Sequence, residues 1–234
     1  MKTLILLSLL VSLPTLAAEW KINKDHSEVL FKVPYLNVSE ITGRFTDYSG
    51  TLDFDEKSRE ITKVNIEISS STIDTGHKMR DNHLKASDFL ESKEYPNIVF
   101  KAEKATKLKK DEYRVDGTLT IKKVSRPFTI NFSLTDSVKD TWGYENKFVK
   151  YSSKLSRKDF GITWNKTLDA DKFLVGDEIT FWGVFQIQPS SSLTPSSKHM
   201  IPDTEYIRER EVKLRSNEGE SSFSQKIRKL INGQ

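Results

Sequence analysis

Apolar and polar residues alternate with period two along most of the middle of this 234-residue chain, the pattern of strands that bury one face and wet the other. The alternation runs through Val29, Phe31 and Val33; through Tyr48, Gly50, Leu52 and Phe54; and through Val64, Ile66 and Ile68. It resumes at Ile98, Phe100 and Ala102, at Tyr113 to Ile121, at Phe128 to Leu134, at Tyr151 to Leu155 and at Ile179 to Ile187. Eight strands follow. The short connections carry turn chemistry, as at Asp55-Glu56-Lys57-Ser58 and Lys109-Lys110-Asp111-Glu112, so neighbouring strands are expected to pair as antiparallel hairpins. Eight such strands can stack as a sandwich or close into a barrel, and closure is favoured because it leaves no exposed edge. The expected fold is therefore all-β, an eight-stranded antiparallel up-and-down barrel.

Two stretches break the alternation. Gly76 to Leu90 reads as a short helix and turn, with Asp74 or Thr75 available as its cap. Ser156 to Gly176 is a long loop carrying Arg157, Asp159, Phe160, Gly161, Trp164 and Asp169. The expected inner face holds Phe31, Phe54, Phe100, Phe128, Phe132, Phe181 and Phe185, interspersed with Gly50, Gly117, Gly183 and Ala102. A barrel of this size is either filled by side chains or holds one ligand. The inward glycines fit both readings, leaving room or relieving strain at bends.

The ends of the chain differ from its middle. Lys2, the apolar run Leu4 to Leu13, Pro14 and Thr15-Leu16-Ala17-Ala18 have the layout of a secretory signal peptide over residues 1–18, with cleavage expected after Ala17 or Ala18. The apolar run is about half the ~20 residues of a membrane-spanning helix. The expected destination is the periplasm. A Pro/Ser linker opens a charged tail over 189–234, expected to be disordered or to form a short basic amphipathic helix around Phe223, Ile227, Leu230 and Ile231. The barrel is expected over 19–188. Of the 37 basic and 33 acidic residues, one basic residue falls before position 19, and eight basic and six acidic fall after 188, leaving 28 against 27 in the barrel. That near-neutral middle offers no footprint for nucleic acid.

Candidate chemistry is sparse. The chain has no cysteine, which excludes disulfides, thiolate metal sites, a thiol nucleophile and a lipidated N-terminal cysteine. Four histidines are present. His26 reads as a structural residue beside Asp25, and His199 lies in the linker. His77 and His83 are spaced for different helical faces, so a helix-borne metal pair is not supported. No nucleophile elbow, P-loop or dinucleotide fingerprint occurs. No catalytic residue, metal site or cofactor is expected.

Several spaced motifs carry a resemblance. They are Asp25-His26-Ser27; Gly43-Arg44-Phe45 leading to Gly50; Asn82-His83-Leu84 with Ser87-Asp88-Phe89; Tyr95-Pro96; Gly117-Thr118-Leu119-Thr120-Ile121; Arg126-Pro127; and Arg157-Lys158-Asp159-Phe160-Gly161 before Val175-Gly176-Asp177. In order and together they resemble the YceI-like family, exported lipocalin-like proteins associated with long isoprenoid lipids, over residues 20–188. Two positions depart from the family pattern. Lys122 stands where the family often has glycine, and Leu90 where it often has a second phenylalanine. The resemblance implies a non-enzymatic protein that holds a polyisoprenoid, of quinone or prenyl-phosphate type, in its barrel. The expected lining is Phe31, Val33, Phe54, Ile66, Ile68, Phe100, Leu119, Ile121, Phe132, Phe181 and Phe185. The alternative is a secreted stress or interaction protein with a filled barrel and a partner on its tail. Contact of the tail with a membrane surface, and pairing of barrels into a homodimer, are further expected partners.

Overall fold

The computed structural model describes residues 17–168 and 172–192. The expected leader falls outside the described residues except at Ala17 and Ala18, and the expected tail except at 189–192. Eight strands run in sequence order around a closed ring: β1 (Ala18–Asn23 and Val29–Tyr35), β2 (Ser39–Phe45 and Tyr48–Phe54), β3 (Ile61–Ser69 and Ile73–Asp74) and β4 (Asn97–Ala102 and Ala105–Lys107). The ring continues with β5 (Glu112–Ile121), β6 (Val124–Leu134), β7 (Glu145–Ser156) and β8 (Glu178–Pro189). Every pairing is antiparallel, and β8 closes on β1 through Ile22↔Ile187 and Phe181↔Phe31. The expected meander barrel is the one observed, and all eight strands read from the alternation are present.

The first four strands are longer than the alternation suggested, and each is broken in the middle. In β1 the break is a 3-10 turn, Lys24–His26, started by Asn23, whose side-chain oxygen accepts from the Asp25 amide at 3.0 Å. Ser27 holds the break to the wall: its hydroxyl donates to the Asn23 carbonyl at 2.5 Å and accepts from the Gln186 amide at 2.9 Å. Such breaks let long strands turn the corner of a small barrel. Gly183 sits opposite this one, and a Cβ there would lie 2.1 Å from the Glu28 carbonyl oxygen. Glycine here permits close approach of two backbones and leaves no void.

One end of the barrel is packed shut. Trp20, Phe54, Ile61, Tyr113 and Leu134 are all but completely buried there, and Tyr113 stacks on Phe132 with centroids 5.4 Å apart. Arg59 ties three turns across this floor, donating to Asp136 at 2.8 Å and Asp111 at 3.1 Å. Lys147 points inward beneath the rings of Trp20 and Phe54, 5.3 and 5.0 Å from their centroids, and pairs with Glu56 at 3.1 Å.

The other end carries the two stretches without alternation. Gly76 to Leu90 contains the helix α1 (Lys78–Leu84). Its cap is His77, whose Nδ1 accepts from the Arg80 amide at 3.3 Å, and this corrects the expectation of Asp74 or Thr75. Those two residues act one step earlier. Asp74 accepts from the Gly76 amide at 2.9 Å, and Thr75 donates its amide and hydroxyl to Asp81 at 2.9 and 2.5 Å. Between Ser156 and Gly176 the chain forms a 3-10 turn, Arg157–Phe160, and a small ribbon of Thr167–Leu168 with Lys172–Phe173.

Candidate ligand cavity

Above the packed floor the barrel is hollow. An upper chamber of about 460 Å³ opens beneath α1 and the 157–177 loop, and a lower chamber of about 110 Å³ reaches toward the floor. Their walls share Val29, Ile68, Leu119 and Phe181. The lower wall is hydrocarbon and aromatic apart from Thr51 and Tyr151, and the Tyr151 hydroxyl turns away to donate to the Glu28 carbonyl at 3.1 Å. Burial pushes the phenols of Tyr151 and Tyr48 above the ordinary tyrosine range, with the nearby Glu28 carboxylate adding to it.

The polar side chains of the upper wall are Thr75, Arg80, His83, Arg157 and the Tyr35 hydroxyl. Arg157 is buried and fully engaged. Its guanidinium donates to the carbonyls of Gly176 (2.9 Å), Ile162 (3.0 Å) and Trp164 (2.6 Å) and to the Asp177 carboxylate (3.0 Å). A charged donor in a low-dielectric wall is tolerated because every direction it faces holds an acceptor. The result is a loop pinned from within, which presents Ile162, Trp164, Leu174 and Val175 to the chamber. Arg80 donates to the Thr75 hydroxyl at 2.7 Å and carbonyl at 2.9 Å. His83 bonds Asp88 at 2.9 Å and meets the rings of Phe89 and Trp164 edge-on at 5.0 and 4.9 Å, so an aromatic cluster joins α1 to the loop at the mouth. Among the described residues no group of three histidines and carboxylates could hold a metal.

The expected lining residues are not all brought together. Phe31, Val33 and Ile121 face the upper chamber; Ile66, Phe100, Phe132 and Phe185 face the lower one; and Ile68, Leu119 and Phe181 face both. Phe54 stands in neither wall and belongs to the sealed floor, against Lys147. Alternation assigns a face of the sheet and is silent on height along the axis. Sequence reasoning missed the mouth residues Leu84, Phe89, Leu90, Ile162 and Trp164; the aromatic content of the two irregular stretches was the signal available for them.

The position where the resemblance leads to the expectation of glycine has a physical reading. Lys122 adopts φ 54°, in the left-handed region, which costs a non-glycine residue about 1 kcal/mol. Its ammonium is held by Glu91 at 3.2 Å and the Ser87 carbonyl at 3.3 Å, tying the β5–β6 turn to the mouth.

A meander barrel sealed at one end and hollow and apolar at the other is a lipocalin-like architecture. Residues 20–186 match the YceI-like domain, and the chain belongs to that family. Protein YceI of Escherichia coli O157:H7 is 37% identical over 150 residues, 62% of this chain and 77% of that protein. The crystal structure of the Campylobacter jejuni YceI protein superposes with a TM-score of 0.52 at 32% identity, over 62% of this chain and 86% of that one. A polyisoprenoid binding domain from Saccharophagus degradans shares the fold at 13% identity, with a TM-score of 0.54 over 74% of this chain and 99% of that domain.

Proposed function

We propose that this protein binds a long isoprenoid lipid, of quinone or prenyl-phosphate type, tail inward in the barrel, and carries or sequesters it without a catalytic step. The observation that carries this reading is the two-chambered cavity. A void of several hundred Å³ lined by hydrocarbon would be an unfavourable feature in a protein with no ligand, since cavities forfeit packing contacts. An apolar chain recovers them, at about 25 cal/mol per Å² of apolar surface removed from water. The half-buried Arg80 and His83 in the upper wall suit a molecule with a polar head at that end. The family membership supports the same reading, and the name of the Saccharophagus degradans domain is consistent with it. The proposed domain plan is a cleaved leader over 1–18, a barrel over 19–188 and a tail over 189–234, with the periplasm as the compartment.

Native mass spectrometry of the gently purified protein tests the proposal. An adduct with the mass of a prenyl lipid, or uptake of ubiquinone or a prenyl phosphate when offered, is the expected result. A protein that repeatedly emerges empty and takes up neither overturns it. The filled-barrel alternative is disfavoured by the chambers themselves; deleting 194–234 is expected to leave lipid uptake unchanged.

A further inference from the structure

The two chambers are separated by a waist, and we infer that this waist is a gauge that sets how many isoprene units the barrel encloses, with Phe181 as its specificity-determining residue. The inference rests on the lipid reading above and adds to it a length and a residue. Benzene fills an apolar cavity of about 150 Å³, which is about 25 Å³ per carbon. On that scale the upper chamber, about 460 Å³, takes about eighteen carbons, or between three and four isoprene units. The lower chamber, about 110 Å³, takes about four carbons more, short of one further unit.

Of the four residues common to both walls, Phe181 has the largest side chain and the most support. It lies across the strand ladder from Phe31. Its ring is flanked by Phe128 at 5.8 Å and by Tyr151 at 6.4 Å, centroid to centroid. Tyr151 is in turn fixed by its bond to the Glu28 carbonyl and its stacking on Phe185 at 4.7 Å. Phe181 is nonetheless only partly buried, unlike Phe185 two same-face positions further along the strand. Its ring borders both voids, whereas the buried Phe185 borders the lower one alone.

Removing the ring frees about the volume of one benzene, near one isoprene unit, and merges the chambers. The test is native mass spectrometry of the protein with an equimolar mixture of prenyl alcohols of three, four, five, six and eight isoprene units. For the parent protein, occupancy is expected to rise about tenfold or more per unit up to four units and by less than about threefold per unit beyond, because added units then lie outside the wall. In Phe181→Ala the break is expected to move out by one to two units. Phe181→Leu, a smaller change that keeps the core filled, is expected to move it by up to one unit. A break at the same length in parent and both variants overturns the gauge while leaving the lipid reading intact. A parent protein that binds none of the alcohols overturns both together.

Discussion

Arg157 shows how one side chain fixes a region that strand periodicity does not specify. Its guanidinium spends its donors on four loop carbonyls, those of Ile162, Trp164, Val175 and Gly176, and on Asp177, all within the 157–177 segment. Arg157→Met would take the guanidinium from the carbonyls of Ile162, Trp164 and Gly176, while Asp177 keeps Lys158 and the Val175 carbonyl keeps Asn165. A loss of about 3–5 kcal/mol in urea-induced unfolding is expected, with Arg157→Lys recovering only part because one ammonium cannot reach a planar fork of acceptors. Tyr151 gives a pH-dependent signature. Its phenol is raised by burial, so the folded state holds the proton that the unfolded chain releases near pH 10. Stability from this group is complete below that pH and is lost progressively as pH climbs above it toward the raised folded value. Tyr151→Phe is expected to cost about 1 kcal/mol at neutral pH through the lost bond to Glu28 and to flatten the alkaline fall. Chemical denaturation at pH 8 and at pH 11 measures both. The motifs containing Arg157 and Asp177 were visible in the sequence; the other acceptors were not, because they are backbone carbonyls whose positions depend on the folded loop.

Among the elements, α1 is too short to be stable alone and owes its place to its ends. Asp81 lies one turn in and accepts both the amide and the hydroxyl of Thr75, closing the approach to the helix, while His77 caps it. Asp81→Ala is expected to raise amide hydrogen exchange across 75–92 by about tenfold, about 1–2 kcal/mol of local opening, with β5 and β8 unaffected. Equal acceleration throughout the barrel would show that the mouth is not a separate unit. The helix itself was legible from the lapse in alternation at Gly76, yet its cap was misassigned, because aspartate and threonine outrank histidine in general preference and local backbone direction decided otherwise. The strand breaks were missed for a related reason. Segments such as Ser39–Phe45 alternate through Ile41, Gly43 and Phe45, but lie so close to Tyr48 that the pattern gives no sign of an interruption.

At the scale of the whole molecule, the barrel is divided along its axis: a packed floor that holds the ring shut, and a hollow apolar end that would take the proposed ligand. Periodicity could not foresee that division, since inward Phe54 and inward Phe31 carry the same signature and end at opposite heights. Lys147 belongs to the floor, and its inward ammonium invites a functional reading that the geometry does not support. It stands under two aromatic faces and beside Glu56, away from both chamber walls. Buried ion pairs gain little over apolar side chains of equal volume because desolvation offsets attraction, whereas deleting one partner strands the other. Lys147→Met should therefore unfold within about 1 kcal/mol of the parent, the lost cation–π contacts being balanced by the relieved desolvation. Glu56→Gln should cost about 1–2 kcal/mol, less than a fully buried pair because Glu56 is half exposed. Both variants should bind prenyl alcohols with the length profile of the parent. Urea unfolding and the mass-spectrometric profile together decide the matter: a floor variant that shifts the length profile would mean that the lower chamber communicates with the floor, and that the wall beneath Phe132 and Phe185 yields to a longer chain.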